Sequence, residues 1–218
     1  MTEHRPRSSD TERRTDRLAI LVSLGAAAVA APAVVVLAVR LGVGGATLAA
    51  TGVYAVTLFG MFLASAAYHL VESPELANRL RRVDRAAIYL KIAGTYTPFA
   101  VMLGGGRTLA ILLGMWSAAL VGVALAALAP RRLESLGLVL YVAMGWAIVV
   151  VGWPILAAMQ AGTLALFAGG AVIYSLGVGV FVWRGLGLRN AIWHVLVLLA
   201  SALIYGAVVL ELRAAAGS

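Results

Sequence analysis

Seven apolar runs, each long enough to cross a bilayer, constrain this chain more than any other feature of it. They lie at approximately 18–39, 46–71, 86–104, 108–129, 135–158, 163–183 and 190–210. A hydrocarbon core of roughly 30 Å takes about 20 helical residues at about 1.5 Å each. Backbone groups in lipid must be satisfied within the protein, so runs of this length predict helices. With 62% hydrophobic and 12% charged residues over 218 positions, the chain has too little polar surface for a soluble domain of its size. The predicted fold is all-α, a polytopic seven-helix membrane bundle with no second domain and no internal repeat.

The flanks divide the chain into three parts. Residues 1–17 are polar, of mixed charge and poor in apolar side chains, so a disordered tail is expected there, with His4 inside it. Residues 18–212 form the membrane domain, and 213–218 a short C-terminal tail. The first apolar run continues to Val39, beyond the length of a cleaved signal, and reads as a retained helix. Abundant Gly and Ala suit close helix packing in lipid. Pro32, Pro98 and Pro154 fall within spans, where kinks or local openings are expected.

Basic residues then orient the bundle. The tail, the 2–3 loop (Arg79, Arg81, Arg82, Arg85), the 4–5 loop (Arg131, Arg132) and the 6–7 loop (Arg184, Arg189) carry thirteen arginines on one side. The other side has Arg40, Arg107 and Arg213. This split puts the N-terminus in the cytoplasm and the C-terminus outside. It also explains the net charge of +8 without nucleic acid as a partner. Membrane lipids are the expected partners. Absent cysteine excludes disulfides and thiolate metal sites. Gly44-Gly45 and Gly104-Gly105-Gly106 are turns rather than phosphate loops, and no motif for a soluble cofactor is present.

Polar residues gather at one level of this topology. His69 ends the second span, Asp84 opens the third, and His194 lies one turn inside the seventh. Ser65 stands four residues before His69, and Asn190 four before His194, so each pair shares a helical face. Asp84, Ile88, Lys91, Thr95 and Pro98 share a face of the third helix. Ionisable groups at membrane depth are costly and face a protein interior or a wet cavity. Interfacial wetting is the plain reading of each residue alone. Agreement in depth favours a shared site.

The stretch DRAAIYLKIAGTYTPF at 84–99, with Ser65-Ala-Ala-Tyr-His69, YVAMGW at 141–146, GGAVIYSLGV at 169–178 and NAIWHVLVLLASALIY at 190–205, resembles the hemolysin III family. That family is a bacterial branch of the progestin and adipoQ receptor membrane proteins, related to the alkaline ceramidases. The resemblance runs from Leu18 to Leu210. It implies zinc held by His69, His194 and a histidine at position 190, with Asp84 contacting the zinc-bound water. Here position 190 is Asn. Arg85 stands where the family often has His, Lys91 where it is usually apolar, and Ile204 near a common His.

Imidazole is a far better zinc donor than a carboxamide, so Asn190 weakens the implied site. Asp84 entering the ligand set would restore a two-His, one-carboxylate arrangement. Lys91 sits two turns from Asp84, about 10 Å along the axis. It either snorkels to the interface, repels a cation, or pairs with Asp84 in a metal-free site. The function implied is membrane-lipid homeostasis, with zinc-assisted hydrolysis of a lipid amide or ester, Asp84 as base and Ser65 positioning a ligand or the oxyanion. A non-catalytic sensor or structural protein with a degenerate metal site is the rival. A channel-forming, cytolytic protein is the third reading.

Overall fold

A computed structural model of the chain describes residues 10–217, except 104, 130–133, 151, 184 and 187. His4, Arg131, Arg132 and Arg184 lie outside the described residues. The described elements are helical: α1 Asp10–Arg40, α2 Gly45–Leu70, α3 Pro74–Leu103, α4 Thr108–Leu128, α5 Glu134–Val150, α6 Trp153–Ala158, α7 Ala161–Val182 and α8 Arg189–Ala216. A 3-10 turn, Gly105–Arg107, leads into α4. Large apolar side chains such as Val29, Val56, Leu120, Val172 and Leu199 face outward, as lipid requires and water does not.

Six helices have the length and apolarity to cross a membrane: α1, α2, α3, α4 with its leading turn, α7 and α8. The fifth expected span, 135–158, is instead divided into α5 and the six-residue α6. Pro154 stands in the first turn of α6, where its missing N–H costs nothing. Pro32 and Pro98, by contrast, lie inside continuous helices. A side chain from α3 also enters the end of α5. The Tyr96 hydroxyl donates to the Met144 carbonyl at 2.9 Å and accepts the Ile148 N–H at 2.8 Å, the two ends of one helical step. A group inserted at such a step is a recognised cause of local helix distortion.

Two stretches expected to be irregular are helical. Residues 10–17 begin α1 rather than completing a disordered tail. Asp10 and Glu12 sit in its first turn, where negative charge suits the helix dipole, and Asp10 accepts from Arg13 at 2.7 Å. An apolar helix downstream supplies the costly nucleus, so these turns need only propagate. Similarly, the polar 2–3 connection shrinks to 71–73, and α3 starts at Pro74. Ser73 accepts the Leu76 N–H, Pro74 follows it, and Glu75 adds charge in the first turn, a helix-start signal in the sequence. Arg82, assigned to a loop, donates to the Ala127 carbonyl in the last turn of α4. The C-terminal residues Arg213–Ala216 continue α8.

Helix α3 is the centre of the bundle. Of its apolar window 61% is buried, against 17% for α7. Small residues let the neighbours approach. A Cβ at Gly94 would lie 2.0 Å from Thr57 Oγ1 of α2, and one at Gly122 of α4 would lie 2.3 Å from the Tyr89 ring. Tyr89 continues across to donate to the Gly137 carbonyl of α5 at 2.9 Å. Gly170 of α7 likewise lies under Ile204 of α8.

Candidate functional site

Ser65, His69, Asp84, Lys91, Asn190 and His194 all line one cavity of about 1630 Å³. Asp16 of α1, the last turns of α2, the Asn78–Arg85 stretch of α3 and the start of α8 line one end of it. The i, i+4 spacing on α2 puts Ser65 and His69 on the cavity side together, and α8 does the same for Asn190 and His194. Leu188, in left-handed backbone conformation (φ 56), turns the chain into α8.

The imidazoles of His69 and His194 meet edge to face, with centroids 5.0 Å apart. His194 is 4% exposed, and its Nε2 has no hydrogen-bond partner among the described residues. Asp84 is in polar contact with the Ser65 side chain and beside the Arg85 charge. Ser65, His69, Asp84 and His194, read from the sequence as one level, thus lie close together on one cavity.

Two of the three readings of Lys91 do not hold. The residue is 4% exposed, so it does not snorkel to an interface. Nor is it ion-paired with Asp84: Nζ donates to the Tyr174 hydroxyl of α7 at 2.6 Å and lies 4.5 Å from that ring's centroid. The Tyr174 oxygen is 2.6 Å from Ser201 Oγ of α8. Asp84 and Lys91 point from α3 to different levels of the cavity, since seven residues make about 10 Å of rise. Tyr174 and Ser201 were missed because single hydroxyls inside apolar runs carry no pattern of their own.

Asp16 was missed for a different reason. It lies in the stretch assigned to the tail, yet it lines the cavity, its charge acts on His69, and its Oδ1 is buried without a hydrogen-bond partner. The helical spacing of Asp16 with the apolar face of α1 was the available signal.

Two of the residues suit a zinc ion. Imidazoles sharing a tetrahedral zinc through bonds of about 2.0–2.1 Å hold their ring centres about 5 Å apart. The His69–His194 pair has that separation. The full ligand set is not there: among the described residues no three His, Cys, Asp or Glu side chains group as metal ligands. Asn190 offers only a carboxamide at the third position. The three-imidazole zinc centre implied by the sequence resemblance does not fit this donor set.

Comparison with known proteins gives the ancestry of this arrangement. Residues 12–205 match the family described as Haemolysin-III related. Hemolysin-3 of Bacillus cereus is 32% identical over 209 residues, covering 94% of each chain. The Hemolysin-3 homolog of Bacillus subtilis (strain 168) is 30% identical over 154 residues, covering 70% of this chain and 72% of its own.

Proposed function

The chain is an integral membrane protein of the haemolysin III-related family, and from that premise we propose that its interior cavity receives a membrane lipid. One observation carries this reading. A cavity of about 1630 Å³ joins a polar end, built from His69, Asp84 and His194, to walls such as Phe62, Ile92 and Phe167. Pockets of that mixed character bury an apolar body while a few polar groups fix its orientation. The role is membrane-lipid homeostasis through binding. It works without a complete zinc centre, because the third imidazole is replaced by Asn190. Native mass spectrometry of the protein taken from membranes in mild detergent tests this. A retained lipid is expected, and Val197→Trp, which fills the cavity wall, should reduce it. A lipid-free protein, unchanged by that substitution and by added lipid extract, would sink the reading.

The thirteen-to-three arginine split supports a cytoplasmic N-terminus and a polar end facing the cytoplasm. On this reading α5 and α6 together make the fifth of seven crossings, and the membrane is the cytoplasmic one.

A second reading, hydrolysis of a lipid amide or ester, is favoured by the contact of Asp84 with Ser65 on the cavity wall. Release of fatty acid from a ceramide by the purified protein, with and without added zinc, tests it. No release under either condition removes the hydrolase reading and leaves lipid binding untouched.

A further inference from the structure

We propose that Lys91 and Tyr174 form a second subsite of the cavity, one that binds the anionic oxygen head of an amphiphile. The inference rests on the reading of the cavity as a lipid site and names the chemistry of its ligand. Lys91 is 4% exposed, on the most buried helix of a membrane bundle. A charge there is costly unless it is paired. An ammonium has three N–H donors, and the Tyr174 hydroxyl at 2.6 Å takes one of them. The ring face at 4.5 Å offers a weaker attraction.

Among the described residues no carboxylate lies within 4 Å of the Lys91 ammonium to supply the missing negative charge. Asp84 is seven residues before Lys91 on α3, about 10 Å along the axis. Glu211 is ten residues beyond Ser201 on α8, about 15 Å along the axis.

Lys91 and Tyr174 are both on the cavity wall, while Ser201 stands behind Tyr174 and holds its hydroxyl at 2.6 Å. Ser201 thus fixes the phenol, and the open face of the Lys91–Tyr174 pair is turned to the cavity. Nearby wall residues Phe167, Val197 and Ile204 are apolar and suit an acyl chain. The counter-ion therefore enters with the ligand. Its chemistry is a carboxylate or phosphate on a long hydrocarbon.

Equilibrium binding to the full chain in a non-ionic detergent tests this, with palmitate, hexadecyl phosphate, hexadecanol and inorganic phosphate as probes. The wild-type protein should bind palmitate about tenfold more tightly than hexadecanol, the range of one charge-assisted hydrogen bond. Lys91→Met should abolish that preference by weakening palmitate binding, and Tyr174→Phe should reduce it. Equal affinities of the wild-type protein for palmitate and hexadecanol would overturn the subsite without any variant needing to fold. So would palmitate binding unaffected by Lys91→Met. If neither long-chain probe binds, the lipid reading of the cavity fails first. Hexadecyl phosphate binding far more tightly than inorganic phosphate identifies the head of a lipid. Equal binding of the two, lost in Lys91→Met, identifies a free anion and overturns the amphiphile.

Discussion

His69 and His194 hold their imidazoles at right angles, 5.0 Å between ring centres, from helices more than a hundred residues apart in sequence. The pair closes one end of the cavity, and Lys91 with Tyr174 marks a deeper level of it. Two chemically opposite stations in one space imply separable consequences when either is altered.

Restoring the third imidazole should restore metal affinity. Asn190→His places a second imidazole four residues before His194, on the cavity side of α8. Elemental analysis of protein purified after zinc exposure should show a marked rise in zinc per chain over wild type. Wild-type protein that already holds one zinc per chain, with no change in the variant, would show that Asn190 is not a lost ligand.

Lys91 should couple energetically to Tyr174 and not to Asp84. In thermal unfolding of the detergent-solubilised protein, Lys91→Leu and Tyr174→Phe should be non-additive by roughly 1–2 kcal/mol, as for a hydrogen bond to a charged group. Lys91→Leu and Asp84→Asn should add within about 0.5 kcal/mol, since no direct bond joins them. Strong coupling of Lys91 to Asp84 would contradict the hydrogen-bond pattern of the cavity.

The α2–α3 interface should tolerate no side chain at position 94. A methyl group there meets Thr57 at 2.0 Å, so Gly94→Ala should destabilise the bundle by roughly 1–3 kcal/mol. Gly60→Ala in α2, with open space around it, should be neutral or stabilising by up to about 1 kcal/mol. Equal effects of the two would mean that α2 and α3 do not pack in this register.

The number of crossings is open to a labelling experiment, because the natural chain has no cysteine. Arg79→Cys and Gln160→Cys each add a single thiol at an exposed position, before the core of α3 and between α6 and α7. In intact cells a membrane-impermeant maleimide should label Gln160→Cys and spare Arg79→Cys. Labelling of both or of neither would place the two positions on one side and remove α5–α6 as a crossing.

What the sequence determined by itself was whatever a run of side chains dictates locally. Apolar length marked the six segments that are membrane-length helices, because the backbone has no other way to satisfy itself in lipid. Spacing of four fixes that Ser65 faces with His69 and Asn190 with His194. The Ser73-Pro74-Glu75 start of α3 was a local signal too, though the expected span began only at residue 86. The tertiary structure decided the rest. Whether Lys91 meets Asp84, the interface or Tyr174 depends on how α3 is rotated against α7, which the interlocking of Gly94 with Thr57 and Gly122 with Tyr89 sets. The break between α5 and α6 likewise involves a tyrosine from another helix, and Asp16 becomes a wall of the cavity only once α1 is docked beside α2. Such contacts bring together residues tens of positions apart, and no local pattern along one chain records them.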